Sequence, residues 1–232
     1  MKLLALDTST EACSVALWSG QQHISLDEVC PQQHSKRLLP MVQQVLAEAG
    51  ISLQQLDGIV FGRGPGSFTG VRIGVGVAQG LAFGADLPVY GVSTLAAMAQ
   101  GAARLHNAQH VVAAIDARMA EIYVASFAYD SHSGCMRLLG QEQAIKPQTI
   151  SQPWFELTSE PCWGVGTGWQ TYAAALQQIQ QVVISPSILY PSAQDMLTLA
   201  QTAYGAGEFF AAELAEPSYV RDEVTWQKLP GR

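Results

Sequence analysis

The order of apolar and polar positions divides the chain into two similar halves. Residues 3–6, 12–18 and 23–28 are short, largely apolar runs, separated by Thr8-Ser9-Thr10-Glu11 and Ser19-Gly20. Runs of that length between turn-forming residues predict strands. Over 35–49, Leu38, Leu39, Val42, Val45, Leu46 and Ala49 recur every three or four positions. That period puts them on one broad stripe of a helix. Ser35 can cap this helix, Gly50 can end it, and Pro40 is expected to kink it near its start. Residues 58–61 read as a buried strand. Over 69–84, Val71, Ile73, Val75 and Val77 alternate as in a strand, but the length and the Ala-Gln-Gly-Leu-Ala tail predict a helix. A short strand at 88–92 follows, and Ser93 caps a helix reaching about 105.

The second half repeats this order. Strands are predicted at 111–115, 121–127 and 135–144, then a helix over 149–157 and a strand at 162–164. A helix over 169–179, a strand at 182–185 and a helix capped by Ser192 and running to 204 complete it. Two successive β-β-β-α-β-α-β-α patterns predict an α/β protein made by duplication. The expected lobes are residues 1–106 and 107–232, hinged near 106–109, with the tail returning to the first lobe.

Composition narrows the class. Of 232 residues, 48% are hydrophobic and only 13% charged, which excludes a disordered chain and allows a large core. The net charge is −7, and basic residues occur only as scattered pairs such as Lys36 and Arg37. Tight RNA binding by this chain alone is therefore not expected. Cys13, Cys30, Cys135 and Cys162 form no C-x-x-C pair, so they read as reduced thiols rather than a zinc site. Asp7 interrupts the opening apolar run too early for a signal peptide, and no stretch is long enough to span a membrane. A cytoplasmic protein is expected.

Four segments carry candidate chemistry. Asp7, Thr8 and Ser9 end the first strand, where hydroxyls and backbone N–H groups could hold phosphate or simply close a tight turn. Asp116-Ala117-Arg118 ends the matching strand of the second half. An ATPase would want glycine after that Asp; Arg118 instead offers either a local ion pair or a fork for an anion or a partner's carboxylate. Gly164-Val165-Gly166-Thr167-Gly168 suits a plain strand-to-helix turn better than a dinucleotide site. Gly62-Arg63-Gly64-Pro65-Gly66-Ser67-Phe68-Thr69-Gly70 lacks the Gly-Lys-Ser/Thr of a P-loop. Behind it, Gly76, Gly80 and Gly84 recur every fourth residue and make one helix face smooth, for internal packing or for a partner helix. His106 and His110 read as surface histidines without a third ligand.

Together these segments resemble the TsaB (YeaZ) family. The carriers are Leu-Leu-Ala-Leu-Asp-Thr-Ser-Thr-Glu-Ala-Cys-Ser-Val-Ala-Leu, Gly-Arg-Gly-Pro-Gly-Ser-Phe-Thr-Gly-Val-Arg-Ile-Gly, Ala-Ile-Asp-Ala-Arg-Met, Gly-Val-Gly-Thr-Gly-Trp and the tail Glu-Pro-Ser-Tyr-Val-Arg. The resemblance implies a bacterial protein with the actin/Hsp70-like (ASKHA, ribonuclease H-like) fold. It also implies a non-catalytic partner of TsaD in threonylcarbamoylation of adenosine 37 in tRNAs reading codons that start with A. Expected partners are TsaD and the ATPase TsaE, with a homodimer when TsaD is absent and tRNA met only through the complex. ATP or ADP and the metal would belong to the partners. The catalytic paralogue carries a His-x-x-x-His metal motif, and counting along the same elements puts Thr94 and Met98 there, neither a fitting substitute. Asp7, Thr8, Ser9, Asp116, Arg118, Gly166 and Gly168 then read as a vestigial nucleotide site.

By the same resemblance, partner binding falls to two helices of the first lobe, through Leu38, Leu39, Val42, Val45 and Leu46 and through Thr69, Val71, Arg72, Val75, Gly76, Gln79 and Gly80. Two other classes compete. One is an actin-like ATPase using Asp7, Asp116 and the 164–168 turn. The other is a protease acting on TsaD, for which no nucleophile–base constellation is legible.

Overall fold

The computed structural model describes residues 1–20, 22–150, 161–176, 179 and 181–221. The first half contains β1 (Lys2–Asp7), β2 (Ala12–Ser19), β3 (Gln22–Val29), α1 (His34–Ala49), β4 (Gly58–Gly64), α2 (Phe68–Ala85), β5 (Val89–Ser93) and α3 (Thr94–His106). The second contains β6 (His110–Arg118), β7 (Glu121–Asp130), β8 (Cys135–Ile145), β9 (Cys162–Val165), α4 (Thr167–Thr171), α5 (Ala173–Leu176), β10 (Val182–Ile184) and α6 (Ala193–Gly205).

Each half builds a five-stranded sheet in the same order, β3-β2-β1-β4-β5 and β8-β7-β6-β9-β10. In each, an antiparallel three-strand meander is extended by two parallel strands; α1 leads to β4, α2 to β5, and α4 with α5 to β10. This duplicated order is the actin/Hsp70-like architecture. The opening run of β1 is central and fully buried, as expected for a strand covered on both faces.

The layers follow from which faces are apolar. α1 and α2 cover one face of the first sheet around Leu38, Val42, Val45, Phe61, Val71 and Val75. α6 covers its other face through Met196, Leu197 and Ala200. α3 packs through Leu95, Met98 and Ala102 on the second sheet. Each sheet therefore rests on the last helix of the other half. Arg104 on α3 joins the two middle helices by a two-pronged bond to buried Asp195 on α6 (2.7 and 3.0 Å).

Several local expectations change. α1 starts one residue early, after Gln33, because Gln33 N–H closes a turn on Cys30 O (3.0 Å); Ser35 thus lies inside the helix and caps nothing. The helix continues through Pro40 and ends on left-handed Gly50 as expected. Ser93 caps α3, its hydroxyl accepting from Leu95 and Ala96 N–H. Ser192 holds the N-cap position of α6, but its hydroxyl bonds Asp27 while Ser14 on β2 accepts the Ala193 N–H. The helix expected over 169–179 is broken into α4 and α5 at Tyr172, which leaves helical dihedrals (φ −120°, ψ 34°) with its hydroxyl bonded to Asp116. Most of the helix expected over 149–157 lies outside the described residues. No helix among the described residues is long and apolar enough to cross a membrane.

Candidate functional site

Two turns at equivalent strand ends hold the residues read as a nucleotide site. At the end of β1, Asp7 Oδ1 accepts from Ser9 N–H (2.9 Å) and Ser9 Oγ–H (2.8 Å). Asp7 Oδ2 is buried with no partner among the described residues. Burial pushes the Asp7 carboxyl up to about 6, against the lowering effect of the Ser9 bonds and of His34. The neighbouring hydroxyls point inward: Thr8 Oγ1 donates to Gly70 O (2.7 Å), and Thr94 Oγ1 donates to Ser9 Oγ (3.0 Å). The glycine-rich segment lies directly on this turn. A Cβ at Gly66 would sit 2.2 Å from Ser9 O, and one at Gly70 2.2 Å from Thr8 O. Its first role is thus internal close approach.

The raised Asp7 carboxyl sets a pH prediction. The folded state binds a proton up to about pH 6, whereas an unfolded aspartate releases it near 4. Stability from this group is therefore present at low pH and lost as pH rises through that window, by about 3 kcal/mol in the limit. Asp7→Asn should be more stable than the parent at pH 7.5, and the difference should shrink toward pH 4.5. Urea unfolding at both pH values measures this; a constant difference would contradict it.

At the end of β6, Asp116 Oδ1 accepts from Tyr172 OH (3.1 Å) and Arg118 N–H (3.0 Å), and Asp116 N–H donates to Thr167 Oγ1 (3.2 Å). Arg118, Met119 and Ala120 all take left-handed dihedrals, with φ of 64°, 53° and 58°. The Arg118 guanidinium reaches Glu11 in the first lobe (3.2 Å) and Asp116 (3.7 Å). Both contacts are largely solvated, so each is worth under about 1 kcal/mol. Gly166 and Gly168 are held against β6: a Cβ would lie 2.2 Å and 2.9 Å from Ala114 O. Their lack of side chains is thus required by close packing on β6. Thr94 and Met98 are both buried, and no cluster of metal-ligating side chains occurs among the described residues.

The histidines and cysteines resolve differently. His106 is half-buried and stacked flat on Trp163 (4.0 Å between centroids), so it is no surface histidine. Its Nε2 lies 2.8 Å from Ser185 Oγ. That serine is buried and also meets Ser187 Oγ, and among the described residues no carboxylate bonds His106. The four cysteines are free thiols; burial pushes Cys13 and Cys162 up to about 12.

The helix surface sorts the expected partner residues into two groups. Leu38, Val42, Val45, Val71 and Val75 lie in the first lobe's own core and cannot form the centre of an interface. Gln79 is turned aside, donating to Ala212 O (3.0 Å). Leu39, Thr69, Arg72, Gly76 and Gly80 are exposed, and Leu46 is half-buried. Among the described residues, a Cβ at Gly76, Gly80 or Gly84 would meet nothing within 4 Å. The same crest carries Phe83, 71% exposed, which sequence reasoning missed. Its signal was the spacing Gly76, Gly80, Phe83, which shares one helix face. Also missed were Glu11 and Tyr172, whose contacts join residues far apart in the chain.

The family model for TsaD, tRNA N6-adenosine threonylcarbamoyltransferase, matches residues 26–229. The chain is 47% identical to the tRNA threonylcarbamoyladenosine biosynthesis protein TsaB of Escherichia coli over 233 residues, covering both chains fully. Against the Haemophilus influenzae protein of the same name it is again 47% identical, covering 100% of this chain and 98% of that one. The solved structure of YeaZ from Pseudomonas aeruginosa superposes with a TM-score of 0.87 at 48% identity, over 94% of this chain and 99% of that one. Another Pseudomonas aeruginosa structure, described as similar to the peptidase YeaZ, also gives 0.87. This chain belongs to the TsaB family, within the wider family of TsaD.

Proposed function

We infer that the chain acts in tRNA threonylcarbamoyladenosine biosynthesis as the non-catalytic partner of TsaD, in a complex that also takes up TsaE. Docking uses the crest of α2 with the adjoining exposed edge of α1 at Leu39. The observation that carries this is the open row Gly76, Gly80 and Gly84. Each glycine costs a helix up to about 1 kcal/mol relative to alanine. Among the described residues no neighbour requires any of them, unlike Gly66 and Gly70, which are pressed against the Thr8–Ser9 turn. A smooth apolar crest beside exposed Phe83 lets another helix approach closely. Because the partner shares the fold, two copies of this chain can use the same crest for a homodimer.

The ATPase reading has less support, since the second turn presents Arg118 and the glycines of the 164–168 turn are packed on Ala114. The protease reading would need the His106–Ser185 pair, whose hydroxyl is buried.

Reconstituted tRNA threonylcarbamoylation tests the proposal. Activity should require this chain, and should survive Asp7→Asn and Asp116→Ala in it. Loss of activity with an intact complex would make the two turns functional and end the non-catalytic reading.

A further inference from the structure

At the N-terminal end of α2 the crest changes character. Phe68 is 58% exposed and Tyr219 51% exposed, with ring centroids 6.1 Å apart. The Arg72 guanidinium lies over the Phe68 ring (3.4 Å to the centroid), and its Nε–H donates to Tyr219 OH (2.9 Å). Tyr219 is fixed in turn by the backbone before it, where Ser218 N–H donates to Arg63 O (2.7 Å). Arg63 is exposed, and like Arg72 it has no ion pair among the described residues. Arg63, Ser218, Tyr219 and Val220 line one side of an open cleft of 550 Å³, with Glu142 on the other. Burial raises the Glu142 carboxyl, while its bond from Ser93 and the charge of Arg63 lower it.

We propose that this ring–guanidinium–ring cluster, with Arg63 beside it, is a direct contact site for an unpaired nucleotide of the tRNA substrate. The inference rests on the assignment to tRNA modification made above. A nucleobase can stack on an exposed ring or guanidinium plane, while an arginine without an ion pair takes the adjoining phosphate. Arg72 is already held in place by Phe68 and Tyr219, so little side-chain freedom is lost on binding. An acidic protein segment would use the two arginines alone, whereas a nucleotide also uses the half-exposed Tyr219 ring beside them as a stacking surface. The overall charge of −7 accounts for a site that adds to binding within the complex rather than gripping RNA alone.

The test is fluorescence anisotropy of a labelled anticodon stem-loop with the complex of this chain and its catalytic partner. Tyr219→Ala should weaken binding about tenfold, while Tyr219→Phe keeps most of it because the ring remains. Arg63→Gln should lower the slope of log affinity against log salt by about 0.7. Light scattering of the same variants reports assembly separately. RNA affinity within twofold of the parent in an intact complex overturns the proposal and leaves the partner reading standing. Loss of assembly in Tyr219→Ala overturns it as well, assigning the cluster to a protein partner instead.

Discussion

Gly80→Arg is expected to leave the isolated chain folded and to weaken its complex with the catalytic partner more than about 100-fold. Among the described residues nothing lies within 4 Å of an added Cβ, so the substitution meets no clash there. Removing a helical glycine should even raise the unfolding free energy, by up to about 1 kcal/mol. At a close-packed interface the same side chain would force helices apart and bury an unpaired charge, which costs several kcal/mol. Gly80→Ala makes a milder pair of effects with the same opposite signs: slightly higher stability alone, weaker binding to the partner. Calorimetric titration and urea unfolding measure the two halves of this prediction. Normal affinity in folded Gly80→Arg would remove the crest from the interface. Val75→Arg is no substitute, because Val75 is only 5% exposed and the change would unfold the chain before it tested binding.

Gly166→Ala should destabilise the chain by on the order of 4 kcal/mol. Two costs add. Gly166 has φ of +104°, a region that side-chain-bearing residues rarely adopt. Its Cβ would also lie 2.2 Å from Ala114 O, a backbone atom of β6 held in place by the ladder to β7, where Ala114 pairs with Val124. Gly84→Ala is the control, since its surroundings are open and its backbone is ordinary helix. Parent-like stability in Gly166→Ala would mean that the turn has room after all, and would reopen the nucleotide-binding reading of Gly166 and Gly168.

The strands and most helices were legible because each is specified by a local pattern: apolar runs between turn residues, or apolar positions at helical spacing. The duplication was legible for the same reason, since the two halves repeat one order of patterns. The partner face was only partly legible. Val71, Ile73, Val75 and Val77 are spread around the circumference of α2, so they give no sign of which side meets the sheet. Placing Val71 and Val75 on the outside was the result, and the structure puts both in the core. The candidate nucleotide turns show the other limit. Asp7 and Asp116 could be picked out as residues, but whether their surroundings leave space depends on chains brought together from far away: α2 on the first turn, β6 against the 164–168 turn, Glu11 on Arg118.

The sequence by itself determined the two-lobed α/β order, the family, and the presence of glycines every fourth residue along one helix. Only the tertiary structure decided what those glycines are for. Gly70 and Gly76 lie six residues apart, about 120° around the helix axis. Spacing alone cannot say which of them faces inward, because glycine has no side chain to carry a preference. Packing against the Thr8–Ser9 turn makes Gly70 an internal necessity, while Gly76, Gly80 and Gly84 are exposed with nothing against them among the described residues.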